Sequence, residues 1–577
     1  MKTLHGTSAS RGIAIGPVFQ YRQPTLTIPR SKISDSEAEL ARLHLALDTA
    51  CAQLADIYEK AIVEVGMDKA EIFQAQTEML QDPELLESVQ QAISVERQNA
   101  EAALFDAAEV YAATLENMGS EYFRARAGDI RDAVQRVLRI LTNVQENARN
   151  ALKQPSIVVA VDLAPSDTIN FDKKLLLGFA IVMGGPTSHT AILARSLGLP
   201  AAVGMEDGIL SLPTGSEIIV DGSRGELHTE CSPELLASYR ERQAANRAFS
   251  ADLQVNAHQP AVTRDGHRVE VVANVGKVDE AAPAVALGAE GVGLLRSEFL
   301  YLQRETLPNE EEQYQAYRGI LDAFGEQPVV LRTLDVGGDK ELPYMDIAQE
   351  INPFLGVRAV RLCLKRPDLF RPQLRAALRA GVGRNLKIMF PMIATLAELR
   401  AAKKALTECR AELNREGVAT ADNIEVGVMV EIPAAVIMAD FLAREADFFS
   451  IGTNDLTQYV MAADRTNPGV AELTSAFAPP VLRMIAQTIA SGHQAGRWVG
   501  LCGELAGEPL AIPILLGLGL DEFSMNAPAI PLAKQIIRSL DYSHCQAAAR
   551  EVLNLTDEKE VRDYISQTFP VINDLVI

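Results

Sequence analysis

Hydrophobic residues along this chain change their spacing several times, and each change marks a new part. Residues 6–20, GTSASRGIAIGPVFQ, alternate small and apolar side chains with a period of two, which predicts a strand that pairs with partners far along the chain. From Ser34 the period lengthens: Leu40, Leu43, Leu47, Leu54 and Ile57 fall on one face of a long helix, and Ser34 and Glu37 are spaced as a capping box. Asp82 and Pro83 open a later helix as N-cap and first helical residue, so residues 21–144 read as an inserted helical bundle. After it the short period returns, with an apolar strand in SIVVAVDL at 156–163 and a hairpin round a glycine-containing turn in EIIVDGSRGELH at 217–228. Between them GGPTSHTAILARSLGLPAAVG, residues 184–204, predicts a helix capped by Thr187 or Ser188, with Ile192, Leu193 and Leu197 at helical spacing and a short buried strand after Pro200. Ser232, Pro233 and Glu234 then start a polar helix.

From residue 269 onward short apolar runs alternate with helical stretches: VEVVANV, GVGLLRSEF, VVLRTLDVGGDK, LKIMFPMI, IEVGVMVEIP, FFSIGTNDLTQY, WVGLCGELAG and DEFSMN. Strand followed by helix, repeated this way, implies a parallel sheet, and eight repeats in roughly 300 residues fit a (β/α)8 TIM barrel. The expected architecture is therefore α/β and multidomain. Residues 1–20 and 145–229 form an α/β domain split by the helical subdomain 21–144, residues 230–260 a linker helix, and residues 261–577 the barrel.

Composition narrows what such a molecule can do. A net charge of −22 argues against a nucleic-acid partner and would steer a small basic protein towards the surface. The six cysteines show no paired spacing, so neither a zinc site nor a disulfide framework is indicated, and reduced thiols in a cytosol fit best. No stretch approaches the roughly 18 uninterrupted apolar residues of a membrane span, and the first residues lack a long apolar signal core. A cytoplasmic protein without membrane insertion is expected.

In a barrel of this kind the side chains at the C-terminal ends of the strands converge on one mouth. Here those ends carry Arg296, Arg332, Asp335, Glu431, Asn454, Asp455, Cys502, Glu504 and Asn526. Charges are seldom desolvated in such a place unless a ligand or metal answers them. Glu431 and Asp455 offer hard oxygen ligands from adjacent strands, suited to Mg2+. Arg296 and Arg332 can grip phosphate bidentately, Asn454 adds a neutral donor, and Arg465, in MAADRTNPG just after its strand, adds another cation. Arg358 and Lys340 either join this binding set or serve as structural ion-pair partners.

The stretch 184–204 carries a second chemistry. A Gly184-Gly185 turn and a Ser188 cap put His189 in the first turn of its helix, beside exposed backbone N–H groups where donors and helix dipole stabilise phosphate. The site suits a histidine that carries phosphate. Taken whole, this string resembles the phosphohistidine signature of the phosphoenolpyruvate-utilising enzymes. The order Ser188-His189-Thr190, with SIGTNDLTQY and LCGELAG in the barrel, is most similar to Enzyme I of bacterial sugar phosphotransferase systems. The likeness spans essentially the whole chain; one departure is Pro186, where that family often carries Arg. Phosphoenolpyruvate synthase and pyruvate phosphate dikinase more usually have Ala after the histidine. They also need a nucleotide-binding domain, for which this chain has neither room nor a glycine-rich loop. A regulatory protein with a decayed site is opposed by the intact set His189, Glu431, Asp455 and Cys502.

A substrate with phosphate and carboxylate beside an enol oxygen, phosphoenolpyruvate, matches the barrel's residue types. Departure of the phosphoryl group leaves an enolate whose methylene carbon must gain a proton. Cys502, with an ordinary thiol pKa of ~8.5, is placed to donate it and matches the family's proton-donor motif. The resemblance further implies transfer from His189 to a histidine of the carrier protein HPr, docked on the helical subdomain, and a homodimer through the barrel. It implies as well that Thr168 hydrogen-bonds His189, although a plain capping role at its own turn fits equally. Separate domains for His189 and the barrel require a swivel about residues 230–260.

Overall fold

The computed structural model describes residues 2–22, 26–65, 67–117, 121–144, 152–163, 171–185, 188–302, 304, 306–337, 350–465 and 467–575. Thr168, Pro186, Thr187 and Lys340 lie outside these residues. The chain divides into two compact units, Met1–Ala248 and Phe249–Ile577, and the helix Pro233–Val255 runs across the division.

The first unit is built on an eight-stranded sheet. Its strands in chain order are β1 (Lys2–His5), β2 (Thr7–Ser10), β3 (Ile13–Gln20), β4 (Ser156–Ala160), β5 (Leu176–Ile181), β6 (Ala201–Val203), β7 (Glu217–Asp221) and β8 (Glu226–Thr229). In space they run β1-β8-β7-β3-β4-β5-β6-β2. The single strand expected over 6–20 is thus two strands on different partners, β2 antiparallel to β6 and β3 between β7 and β4. The chain turns between them at Gly12, whose φ of +114° is strained for any L side chain, and a Cβ there would also crowd Pro200 at 3.1 Å.

Among the described residues between β3 and β4 there are five helices: α1 (Ser36–Val65), α2 (Met67–Leu80), α3 (Pro83–Ser94), α4 (Ala100–Asn117) and α5 (Glu121–Leu141). Leu43, Leu54, Val89, Leu104 and Val137 meet in their core. The cap of α1 differs from expectation by one residue. Asp35, not Ser34, accepts the N–H groups of Glu37 and Ala38, each at 3.0 Å, because a carboxylate at that position reaches both free donors. Asp82 and Pro83 open α3 as anticipated, with Asp82 Oδ1 accepting from Glu84 and Leu85.

The second unit is the barrel. Strands β10 (Arg268–Val275), β11 (Val292–Arg296), β12 (Val329–Arg332), β13 (Leu386–Phe390), β14 (Val426–Val430), β15 (Phe448–Ile451), β16 (Trp498–Leu501) and β17 (Glu522–Asn526) correspond to the eight apolar runs. Each is parallel to the next, and β10 pairs with both β11 and β17, closing the sheet. A short β9 (Ala261–Val262) adds one antiparallel step to β10. Leu294, Val330, Met389, Met429 and Phe448 fill the interior, so it is packed and not a pore.

Candidate active site

At the C-terminal ends of these strands the barrel holds a cavity of about 700 Å³. Arg296, Arg332, Asn454, Arg465, Cys502, Glu504 and Asn526 line it together, seven of the residues singled out from sequence. Arg296 closes β11 and reaches Asn526 Oδ1 at 3.5 Å. Asn454 and Glu504 clasp each other from neighbouring strand ends, Asn454 Nδ2 donating to Glu504 Oε1 and Glu504 N donating to Asn454 Oδ1, both at 3.3 Å. Arg465 does not follow its strand directly. The helix Thr453–Met461 intervenes, because Thr453 and Asn454 leave the sheet as helix and carry Asp455 into a first turn.

Arg332 is buried at the end of β12, where Nη2 donates to Glu298 Oε1 and Nη1 lies 3.2 Å from Asp335 Oδ2. Burial works against its charge, but the carboxylates of Glu298, Asp335 and Glu431 outweigh that, so the guanidinium stays ionised. Arg358 is 1 % exposed and engaged through both terminal nitrogens: Nη2 donates to Asp335 at 2.9 and 3.2 Å, and Nη1 to Asp455 Oδ1 at 3.3 Å. Of the two roles open to it, ion pairing is the one its contacts display. Arg465 Nη1 adds a longer contact to Asp455, 3.7 Å.

Glu431 follows β14 and is buried; Oε1 accepts the Met392 N–H at 2.6 Å. Its carboxyl is pushed up to about 8, first by burial, then by Asp455 and Asp335, with Arg332 and Arg358 pulling the other way. Oε2 faces Gly452, where a Cβ would stand 2.9 Å away. Carboxylates crowded until one resists ionising suit a divalent cation, which would relieve their repulsion. Among the described residues no three His, Cys, Asp or Glu groups are arranged for a metal. Two carboxylates fit Mg2+ all the same, since that ion keeps several positions for water and phosphate oxygens.

Cys502 follows β16 and is 4 % exposed, its Sγ 3.7 Å from the Ile451 carbonyl oxygen. Burial pushes the thiol up to about 11, so it stays protonated well beyond neutral pH. Asn274 anchors the same turn, donating from Nδ2 to the Cys502 carbonyl oxygen at 3.1 Å. Asn274 and Glu298 are lining residues that sequence reasoning missed. Glu298 lies two positions beyond Arg296 in the same strand-end segment, which was signal enough; Asn274 has no such neighbour.

In the first unit the helix His189–Leu197 begins at His189, with Ser188 as its N-cap accepting from Ala191 N at 3.4 Å. Gly184 adopts φ +93°, and a Cβ there would lie 3.0 Å from the Ser188 side chain, so the turn before the cap requires glycine. The helix ends at Gly198 in the left-handed region and leads into β6. His189 thus occupies the first turn, among N–H groups that have no intrahelical acceptor.

Known proteins divide the chain in a similar way. Residues 5–126, 152–225 and 250–542 match the N-terminal, mobile and PEP-binding domains of the PEP-utilising enzymes. The phosphoenolpyruvate-protein phosphotransferase of Geobacillus stearothermophilus is 49 % identical over 98 % of both chains. That of Bacillus subtilis (strain 168) is 45 % identical over 99 % of this chain and 100 % of its own. That of Staphylococcus carnosus is 44 % identical over 98 % and 99 %. On identity of this extent along its whole length, the chain belongs to the phosphoenolpyruvate-protein phosphotransferase family of PEP-utilising enzymes.

Proposed function

We propose that this protein moves the phosphoryl group of phosphoenolpyruvate onto a ring nitrogen of His189, releases pyruvate, and passes the group to a histidine of HPr, the first step of sugar uptake by a phosphotransferase system. The observation that carries this reading is the single cavity in which Arg296, Arg332, Asn454 and Arg465 surround a buried, protonated Cys502. Arg296, Arg332 and Arg465 bind the phosphate and carboxylate, and Asn454 donates a hydrogen bond to the substrate. Arg358 holds Asp335 and Asp455 in place. Glu431 and Asp455 would hold Mg2+, which would supply neutralisation of the substrate's developing negative charge.

As the bridging P–O bond breaks, a P–N bond forms to an unprotonated ring nitrogen of His189. The enolate left behind takes the Cys502 thiol proton at its methylene carbon. Thr168 orients the His189 ring, and Lys340 supplies a further cation to the substrate. The two units must meet for the first transfer and part for the second, with the helix Pro233–Val255 as the hinge element. HPr docks on α1–α5, and the protein works in the cytoplasm as a homodimer joined through the barrel. Among the described residues no helix is long and apolar enough to cross a membrane.

Labelled phosphoenolpyruvate with Mg2+ tests the reading. Wild type should take label at His189 and give it up when HPr is added, and His189→Ala should take none. Absence of label on wild type rejects the reading, and labelling that requires ATP points to a dikinase.

A further inference from the structure

The helical subdomain holds a cavity of its own, about 510 Å³, between α1 and α5. Gln53, Asp56 and Lys60 recur at helical spacing along α1, and Arg136, Arg139 and Asn143 repeat that spacing along α5 and just past its end; all six line the cavity. Ile57 and Ile140 give it apolar wall. Small-molecule sites have this make-up, a few convergent polar groups on apolar walls, and volumes of about 300–1,000 Å³.

Arg136 and Arg139 are 8 % and 9 % exposed. Arg136 Nη1 donates to Gln53 Oε1 at 3.2 Å. The Arg139 guanidinium makes no hydrogen bond or ion pair among the described residues, and its Nε is buried without a partner. Other arginines of the subdomain are answered by carboxylates, Arg30 by Asp106 and Arg42 by Glu101, each at 2.7 Å. Taking a guanidinium out of water without such a partner is costly, so a buried one that lines a cavity calls for an anion there.

The place of Arg139 in the last turn of α5 suits the negative end of that helix, which accounts for one cation. It does not account for three. Lys60, Arg136 and Arg139 share the cavity with one acid among its lining residues, Asp56, a local balance of +2 in a chain whose net charge is −22. Walls of one sign draw counter-ions in, and here the sign is wrong for a basic protein partner and right for a small anion. Two guanidinium groups one helical turn apart can each grip an edge of an oxyanion, and phosphate offers more such edges than a carboxylate does.

We propose that this cavity binds a small phosphorylated metabolite, with Arg136 and Arg139 on the phosphate, Lys60 adding charge at the rim and Gln53 orienting Arg136. The site shares no lining residue with the barrel mouth, so it is an effector site and not a second view of the substrate cavity.

Hydrogen exchange on the full-length protein, with inorganic pyrophosphate as the probe, tests it locally. Pyrophosphate should slow exchange in peptides covering 49–60 and 136–144. Arg139→Gln should raise the concentration that gives half of this protection by about 10–100-fold, the scale of one hydrogen bond to a charged group. Peptides from α3, in the same helical core, should exchange alike in wild type and variant, as they do when the bundle is intact. Lys60 is exposed, so Lys60→Ala keeps the fold and should weaken protection in the same direction even if Arg139→Gln is unstable. Absence of protection in the α1 and α5 peptides would overturn the proposal, as would protection unchanged in both variants or matched by succinate at equal ionic strength. Protection by HPr and not by pyrophosphate would give the cavity to the carrier and overturn it as well.

Discussion

Arg332 holds two buried carboxylates apart and presents charge to a cavity at the same time. Its ion pairs with Glu298 and Asp335 leave Nε, buried, with no partner of its own. Lysine in its place would keep the charge but lose the planar fork. Arg332→Lys should therefore lower kcat/KM for phosphoenolpyruvate by about 10²–10³, the scale of losing one oriented donor at a developing charge. Arg332→Ala should also destabilise the barrel by about 3–5 kcal/mol, because Glu298 and Asp335 would stay buried without it. Steady-state kinetics and denaturant melts read the two effects separately. Cys502→Ala should slow pyruvate formation by about 10²–10⁴ and leave transfer from phosphorylated His189 to HPr unchanged, as rapid quench with each half-reaction would show.

At the scale of the element, strand ends decide what the barrel mouth can hold. Gly452 follows β15 under Glu431, and a methyl group there would meet Glu431 Oε2 at 2.9 Å and Glu431 Cβ at 3.1 Å. Gly452→Ala should displace the carboxylate and raise the Mg2+ concentration needed for half-maximal pyruvate formation several-fold, with His189-to-HPr transfer unaffected; a metal titration measures it. The β17 strand starts with Glu522, whose folded pKa of about 8 lies above the ordinary carboxylate value of 4.5. Its contribution to stability is full below about 4.5 and is lost as pH rises through 8. Between pH 5 and 8 the wild-type melting temperature should fall more steeply than that of Glu522→Gln, which does not titrate.

The eight barrel strands were legible in sequence because a strand covered on both faces reads as an unbroken apolar run. The double strand in 6–20 was not, because the partners that force the turn at Gly12 lie near residues 157, 202 and 219. Asp335 and Arg358 show the same limit in the site. Each is visible as a charge, but their pairing across 23 residues belongs to the folded barrel. The His189 cap was readable because its signal is local.

For the whole molecule, a net charge of −22 makes association with a basic carrier depend on ionic strength. Raising salt from 50 to 500 mM should increase KM for HPr several-fold and leave kcat little changed; steady-state assays across that range decide it. The closure of the barrel has a consequence for how the protein is made. β10 pairs with β17, so a strand synthesised early waits for one roughly 250 residues later, ~12–50 s at ribosomal rates of ~5–20 residues per second. The first unit meanwhile has every strand it needs, from β1 to β8. During that interval β10 and the newest strand expose unpaired backbone edges, the geometry that invites wrong partners. Chains stopped before β17 should therefore collect in the insoluble fraction with a first unit that still resists protease, and the nascent full-length chain should need holding until residue 526 has emerged.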